Sequence, residues 1–134
     1  MTTTPFPTMS PKVMISEVKA SNSLITSSTA PQITVFIGAT AGIGKAALTH
    51  LVAQQTPIKV YLIGRNATKH QEFISQLRVS NPKANIILLE GEVSLLAEVK
   101  RVCDEIKATE TSIDAVFLST GYIPYNGRES KSVL

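Results

Sequence analysis

The stretch TVFIGATAGIGKAAL, Thr34 to Leu48, places three glycines within seven residues, between an apolar run and a helix-like pattern. Gly38 follows the apolar run, and Gly42 and Gly44 open the helical pattern. A glycine has no side chain, so other atoms can approach its main chain closely. The first amides of a helix have no acceptor within the helix and lie at the positive end of its dipole. The stretch therefore predicts a strand, a tight turn and a helix N-terminus that binds a pyrophosphate.

Four short apolar runs divide the rest of the chain. They are rich in Val, Ile and Leu and nearly continuous in apolar character, which is typical of strands buried on both faces of a sheet. The runs are ITVFI from Ile33, IKVYLI from Ile58, NIILLE from Asn85 and DAVFLS from Asp114. Strand starts near residues 33, 58, 86 and 114 are separated by 25, 28 and 28 residues, the length of a βαβ unit. We predict an α/β fold: a Rossmann-like, doubly wound parallel sheet, incomplete, with about four strands in the order 3-2-1-4.

Helical patterns lie between the runs. The first has apolar residues at three- and four-residue spacing: Ile43, Ala47, Leu48, Leu51 and Val52. The second is predicted to begin at Asn66 as its N-cap and to end at the Asn-Pro pair 81–82. The third is predicted to begin at Ser94, and its apolar stripe consists of Leu95, Val99, Val102 and Ile106. Cys103 lies beside this stripe, so we expect a buried, inert thiol in a reducing compartment.

Composition argues against several classes of function. The 134-residue chain has a formal net charge of +3 and scattered Lys and Arg, so no nucleic-acid surface is expected. No apolar run approaches about 18 residues, so no membrane span is expected. His50 and His70 are far apart and stand in no cluster of ligand residues, so no metal site is expected. We expect a cytoplasmic protein.

The sequence predicts one folded body with flanking segments. Residues 1–12 are rich in Thr and Pro and lack the apolar core of a signal peptide, so we expect a disordered tail. Residues 13–31 are predicted to form a short helical segment and a linker, with apolar side chains laid against the body. Residues 32–128 form the predicted Rossmann half-domain, and residues 129–134 are a C-terminal tail.

The glycines also allow two other interpretations, a P-loop and a purely structural turn. A P-loop requires G-x-x-x-x-G-K-[ST], but five residues separate Gly38 from Gly44, and Ala46 stands where the magnesium-binding hydroxyl would be. The glycines could also serve only a tight strand-to-helix turn. The regular βαβ spacing around them favours a ligand-binding turn over that second interpretation.

The motif GATAGIG resembles the TGxxxGIG cofactor turn of the short-chain dehydrogenases/reductases, with Ile37 where the family usually has Thr. The resemblance covers about residues 33–128. In particular, the segments VKASNSLI, ITVFIGATAGIGKAAL, YLIGRN and FLSTGYIPYNGR resemble fungal members tied to secondary-metabolite pathways. The resemblance implies cofactor contacts from the motif residues Gly38, Thr40, Gly42, Ile43 and Gly44.

The end of the second strand predicts which nicotinamide cofactor is used. The adenosine ribose is expected about 20 residues beyond the glycines, where a carboxylate would favour NAD. This sequence has YLIGRN there, with Arg65 and no carboxylate. A guanidinium can form charge-assisted hydrogen bonds with a 2′-phosphate, so we predict NADP(H). The alternative is that Arg65 is a solvated surface residue; the family resemblance favours NADP, because GRN, with Asn66, is typical of its NADP-using members.

Two later motifs match the family less closely. Glu92-Val93 stands where the family commonly has Asp-Val, which borders the adenine, and Ser94 could be a helix N-cap. After the fourth strand, LSTG stands where the family has NNAG. Gly121 is kept, while Ser119 or Thr120 would have to supply the polar contact.

The family's catalytic residues have no match here. The resemblance implies a Tyr that transfers a proton and a Lys four residues later that lowers the tyrosine's pKa. Tyr61 leads to Arg65, Tyr122 to Asn126 and Tyr125 to Glu129, so no Tyr-x-x-x-Lys is present. We assign no catalytic residue and expect that the catalytic half is missing from this chain.

The resemblance implies an NADP(H)-dependent oxidoreductase that reduces a small-molecule carbonyl or oxidises an alcohol by hydride transfer, in fungal secondary-metabolite biosynthesis. The alternative is a catalytically inactive NADP-binding module or remnant. The fourth strand is expected at an edge of the sheet with apolar side chains in water, which predicts marginal stability or self-association.

Overall fold

The computed structural model describes residues 13–121. The tails predicted at 1–12 and 129–134, and the last seven residues of the predicted half-domain, lie outside the described residues. Four strands form one parallel sheet: β1 (Ile33–Ile37), β2 (Ile58–Gly64), β3 (Ala84–Glu90) and β4 (Ala115–Leu118). Their order is β3-β2-β1-β4, which confirms the predicted order and the incomplete α/β Rossmann-like fold.

Three helices connect the parallel strands, as crossovers between such strands require. They are α2 (Gly42–Val52), α3 (Gln71–Ser80) and α4 (Leu96–Thr109), with a 3-10 turn (Ala67–His70) before α3, and a further helix, α1 (Ile15–Asn22), precedes β1. The strands alternate their side chains between two apolar clusters. Helices α2 and α3 cover one face of the sheet, with Leu48, Val52, Ile74 and Leu77 against Phe36, Val60, Leu62 and Ile86. Helix α4 covers the other, with Val102 and Ile106 against Val35, Tyr61, Ile63 and Leu89.

The end of α4 is tied to β2 by a polar cluster. The hydroxyl of buried Tyr61 donates to Glu110 Oε1 at 2.6 Å, and Lys59 forms an ion pair with the same carboxylate. The hydrogen bonds from Lys59 and Tyr61 lower the pKa of Glu110, and burial raises the pKa of Tyr61. Glu110 stands at the C-cap of α4, so this cluster fixes where the helix ends over the sheet.

The N-terminal helix forms where it was predicted, but its predicted packing is wrong. None of the residues of α1 is buried, and Ile15 is 75% exposed. The sequence ISEVKASN offers Ile15 and Val18 as its strongly apolar residues. Two such side chains in eight residues do not form a stripe wide enough to hold a helix against a core.

Both predicted N-caps are wrong. Asn66 adopts a left-handed conformation, with φ of 55°, and leads into the 3-10 turn instead of capping α3, which begins five residues later. Leu95, not Ser94, occupies the N-cap of α4, and the Ser94 hydroxyl donates to Glu92 Oε1 at 2.6 Å. The left-handed backbone of Asn66 and the bond of Ser94 to Glu92 thus belong to the loops before the two helices.

Cys103 is exposed, which corrects the expectation of a buried thiol. The buried residues of α4 are Val102 and Ile106. Successive helix residues turn by about 100°, so Cys103 faces away from the side on which Val102 is buried.

Asp114 joins the starts of β1 and β4. Its Oδ2 accepts hydrogen bonds from the amides of Gln32 and Ile33, both at 2.8 Å, and its own amide donates to Ile33 O at 2.9 Å. The amide hydrogen bonds, from Ile33 first and then Gln32, lower the pKa of Asp114.

The depressed pKa of Asp114 predicts a pH-dependent contribution to stability. A carboxyl whose pKa is lower in the folded state stabilises the fold above its unfolded pKa of about 3.9, and loses this effect as the pH falls through the folded value. We therefore expect Asp114→Asn to lower the free energy of unfolding near neutral pH, and the deficit relative to wild type to shrink below about pH 4. Urea unfolding of both proteins from neutral to acidic pH measures the difference in their free energies of unfolding. A difference that stays constant with pH would contradict this role of Asp114.

Strand β4 exposes apolar side chains, as predicted. Val116 is 56% exposed, Leu118 71% and Phe117 38%, although the Phe117 ring stacks on Phe36 with centroids 4.3 Å apart. Among residues 13–121, β4 pairs with β1 alone. Its outer edge therefore presents unpaired backbone beside apolar surface within the described part of the chain.

The self-association of this chain stays a prediction, and Val116→Lys tests it. A lysine on an edge strand discourages pairing with another chain, so the variant should sediment as a smaller species than wild type at equal concentration. Val79→Lys is the matched control, because Val79 is an 82% exposed valine on α3. A wild-type protein that sediments as a single monomer at all concentrations would refute the prediction.

Candidate functional site

The structure brings the predicted site residues to one edge of the sheet. Gly38 follows β1, Arg65 follows β2, Glu92 lies two residues beyond β3 and Ser119 follows β4. In open parallel sheets, ligands bind outside the carboxyl ends of the strands, at the point where the strand order reverses. Here that point lies between β1 and β4, because the chain runs outward from β1 to β2 and β3 and then returns through α4 to β4 on the other side of β1, so the strand order reverses there.

Gly38 and Gly44 are required by packing within the chain. A Cβ on Gly44 would overlap Ser119 Oγ and come within 2.8 Å of Gly38 O. A Cβ on Gly38 would lie 2.7 Å from Thr120 Cγ2 and 2.8 Å from Thr120 N, and Gly38 has φ of 88°. These two glycines let the start of α2 lie directly against the turn and the residues after β4.

Gly42 is different, because it faces open space. It has φ of 57°, and a Cβ built on it would meet no atom within 4 Å. It is the first residue of α2; the N-cap, Ala41, makes no side-chain capping bond, and the first turn holds no acidic residue. Nothing in this first turn neutralises the positive end of the helix dipole, so its main-chain amides suit an anionic group.

Thr40 and Ile43 flank this opening. Thr40 Cγ2 would lie 3.1 Å from a Cβ on Gly64, so the Thr40 side chain lies over the end of β2. Ile43 is 86% exposed. Ile43 belongs to the apolar spacing of α2 but lies outside its buried face, because Gly44 is the residue of this turn that packs inward.

Arg65 lies beside a carboxylate. Its Nη1 is 3.8 Å from Glu92 Oε2, and its side chain is 71% exposed. The left-handed Asn66 turns the chain after β2, and the His70 ring bonds to the Arg65 carbonyl oxygen with Nε2 3.1 Å from it. The backbone around Arg65 is thereby held, while its guanidinium reaches into solvent.

The residues after β3 and β4 have mostly internal partners. Val93 packs against the cluster under α4. The Ser119 hydroxyl donates to Gly38 O at 3.2 Å, which braces the end of β4 against the glycine turn. Gly121 has φ of 152° with open space around it.

Sequence reasoning missed two residues that shape this edge. Gly64 makes room for Thr40, and its position at a strand end was the available signal. Glu90 Oε2 accepts a hydrogen bond from Ala67 N at 3.2 Å, which holds the turn after β2 to the end of β3. No local sequence pattern predicts this hydrogen bond, because its two residues are far apart in the chain.

The opposite edge of the sheet carries an open depression of about 660 Å³. It is lined by residues between Ser28 and Ile33 and by Ser112, Asp114 and Ala115. Asp114 is engaged there with the amides that begin β1, so we interpret the depression as a structural junction.

Within residues 13–121, no helix is both long and apolar enough for a membrane span, and no cluster of three or more His, Cys, Asp and Glu side chains could hold a metal ion.

Comparison with known proteins identifies the family. A family model described as short chain dehydrogenase matches residues 32–132. The chain belongs to the short-chain dehydrogenase family. This confirms the resemblance inferred from the glycine motif.

Fungal proteins are among the relatives of this short-chain dehydrogenase chain. It is 36% identical over 119 residues to the NmrA-like family domain-containing oxidoreductase notO of Aspergillus sp. (strain MF297-2), covering 87% of this chain and 36% of that protein. It is 33% identical over 120 residues to Oxidoreductase lepF of Aspergillus flavus, covering 88% of this chain and 33% of that protein. The chain thus spans about a third of the length of these curated relatives.

A solved structure shares the fold. The Pseudomonas aeruginosa RhlG/NADP active-site complex superposes with a TM-score of 0.60 at 18% identity, covering 76% of this chain and 38% of that one. At 18% identity, this similarity shows that the two chains share a fold.

Gly44→Ala and Gly42→Ala should separate the two glycine roles. We expect Gly44→Ala to lower the free energy of unfolding by about 2 kcal/mol or more, because the new methyl overlaps Ser119 and Gly38. Gly42→Ala should cost about 1 kcal/mol, from its left-handed conformation alone. Urea unfolding followed by circular dichroism measures both. An equal or larger loss for Gly42→Ala would contradict the assignment.

Proposed function

We propose that this chain is the NADP(H)-binding half of a short-chain oxidoreductase that reduces a small-molecule carbonyl or oxidises an alcohol. The observation that carries the proposal is the open, uncapped start of α2 at Gly42, on the same sheet edge as Arg65. When bound, the cofactor supplies or accepts the hydride at its nicotinamide ring.

The first turn of α2 would hold the diphosphate. Its amides lack intrahelical acceptors, and the space that a side chain at position 42 would occupy is empty. The contacts of Gly38 and Gly44 support this role indirectly, since they fix the helix start against the ends of β1 and β4. Thr40 and Ile43, on either side of Gly42, would border the bound group.

Arg65 would recognise the 2′-phosphate of NADP(H). It lies at the end of β2, and a guanidinium forms strong charge-assisted hydrogen bonds with a phosphate. Asn66 fixes the turn that presents it. Glu92 and Val93 would border the adenine, and Ser119 and Gly121 would border the nicotinamide side of the site.

The chemical step would need proton-transferring residues in addition to these cofactor-binding residues. We assign no catalytic residue to this chain, which contains no Tyr-x-x-x-Lys. The relatives are about three times as long as the matched stretch, which supports the proposal that the proton-transferring residues belong to a further half of the fold. The fungal oxidoreductases among the relatives support a role in fungal secondary-metabolite biosynthesis.

A catalytically inactive NADP-binding module is the second candidate. The absence of Tyr-x-x-x-Lys beside an intact binding edge favours it for the 134-residue chain itself. Sequencing the transcript past the codon for Leu134 separates the two, because an in-frame continuation that encodes Tyr-x-x-x-Lys would support the oxidoreductase and a stop codon would support the module. We also propose a cytoplasmic location, because a lone cysteine suits a reducing compartment.

Arg65→Gln tests the cofactor assignment. Loss of charged hydrogen bonds worth about 1.5–3 kcal/mol should weaken NADPH binding about tenfold or more, and change NADH binding little. Isothermal titration calorimetry of both cofactors measures this. Lys83→Gln is the matched control, since Lys83 is an exposed cation at the opposite edge of the sheet, before β3. Equal losses for NADPH and NADH would contradict a 2′-phosphate role for Arg65.

A further inference from the structure

Arg65 and Glu92 form a pair across the ends of β2 and β3. Arg65 Nη1 is 3.8 Å from Glu92 Oε2, and the other carboxylate oxygen, Oε1, accepts a hydrogen bond from the Ser94 hydroxyl at 2.6 Å. The Glu92 side chain is 32% exposed and that of Arg65 71% exposed. Ser94 thus holds the Glu92 carboxylate, which is the less exposed partner, beside the more exposed Arg65 guanidinium.

This pair has opposite consequences for the two nicotinamide dinucleotides. A 2′-phosphate must share or displace the carboxylate at Arg65, and it also experiences repulsion from the Glu92 charge. A ribose 2′-hydroxyl is a hydrogen-bond donor, for which a carboxylate is a good acceptor and a guanidinium is not. The same carboxylate therefore opposes the phosphorylated cofactor and suits the unphosphorylated one.

We propose that Glu92 is a specificity-determining residue that limits the preference of this site for NADPH over NADH. The inference rests on the proposed function, because it requires the adenosine ribose to lie between the ends of β2 and β3. Glu92 would limit the preference in two ways. Its carboxylate pairs with the Arg65 guanidinium before the cofactor binds and so competes with the 2′-phosphate of NADPH, and it would accept a hydrogen bond from the ribose 2′-hydroxyl of NADH. Ser94 is a positioning residue for this carboxylate.

The other charged groups nearby are engaged differently. The Glu90 carboxylate accepts a hydrogen bond from the Ala67 amide at 3.2 Å, at the base of the turn that presents Arg65. Arg101 pairs with Glu98 and Glu105 along α4, with Nη2 2.9 Å from Glu98 Oε2 and Nη1 3.3 Å from Glu105 Oε2. The carboxylate in contact with Arg65 is that of Glu92.

Glu92→Gln tests the proposal, because it removes the charge and keeps the shape. Dissociation constants of the 134-residue chain for NADPH and NADH are measured by calorimetry at low and physiological salt. An exposed ion pair is worth about 0.2–1 kcal/mol, so NADPH should bind about two- to fivefold more tightly to the variant. NADH should bind more weakly, and the gain for NADPH should be larger at low salt.

Glu105→Gln is the matched control. It removes one carboxylate charge from an ion pair with a different arginine, so the ratio of the two dissociation constants should stay at the wild-type value. A ratio that changes equally in both variants would overturn the proposal, because net charge alone would then explain it. Thermal melting of each variant confirms that the binding differences are measured on folded protein.

The remaining outcomes separate this inference from the proposed function. If wild type binds NADPH and Arg65→Gln weakens it, but Glu92→Gln leaves the ratio unchanged or shifts it toward NADH, the specificity role of Glu92 is wrong and the cofactor assignment stands. If wild type binds neither NADPH nor NADH, the proposed function fails, and the role of Glu92 fails with it.

Discussion

The contact between the glycine turn and the residues after β4 is the constraint on which the site depends. Gly44 and Gly38 lie against Ser119 and Thr120 with no room for a side chain, and the Ser119 hydroxyl bonds to Gly38 O. This contact brings the start of α2 to the junction of β1 and β4. The helix amides are therefore presented at the carboxyl edge of the sheet, where the strand order reverses.

Two of the three glycines are required by packing within the chain, and the third leaves space for a ligand. A motif of three glycines invites the interpretation that all three make room for a phosphate. Two of them make room for the protein's own chain, and Gly42 alone of the three has open space in front of it. The phosphate-binding role that we propose therefore falls on the first turn of α2 at Gly42, while Gly38 and Gly44 are required for the packing of the turn.

Much of the fold followed from the sequence because buried parallel strands have a strong signature. The continuous apolar runs placed all four strands to within about two residues, and the order that the structure shows was predicted from the dinucleotide-binding fold that the glycine turn and the βαβ spacing indicate. The site edge followed as well, since carboxyl ends of parallel strands meet on one side. Details that depend on rotation or long-range bonds did not follow: Cys103 and Ile43 turn outward, and Asn66 and Ser94 make loop contacts in place of caps.

The pairing of Arg65 with Glu92 could not be read from the sequence either, because 27 positions separate the two residues and the contact depends on the β2–β3 register. That register places the ends of the two strands side by side, with Gly64 opposite Glu90. Under our proposal, the cofactor preference suggested by Arg65 alone is modified by Glu92, two residues beyond the next strand. Specificity at such an edge would then depend on adjacent strand ends and not on one residue type.

The most direct measurement is a two-dimensional NMR titration of the ¹⁵N-labelled chain with NADPH. The account predicts that the largest amide shift changes fall on Gly42, Ile43 and Gly44, with a second group at Arg65 and Asn66. Changes concentrated at the start of β1 and β4, around Asp114, or none at the first turn of α2 at saturating NADPH, would contradict it.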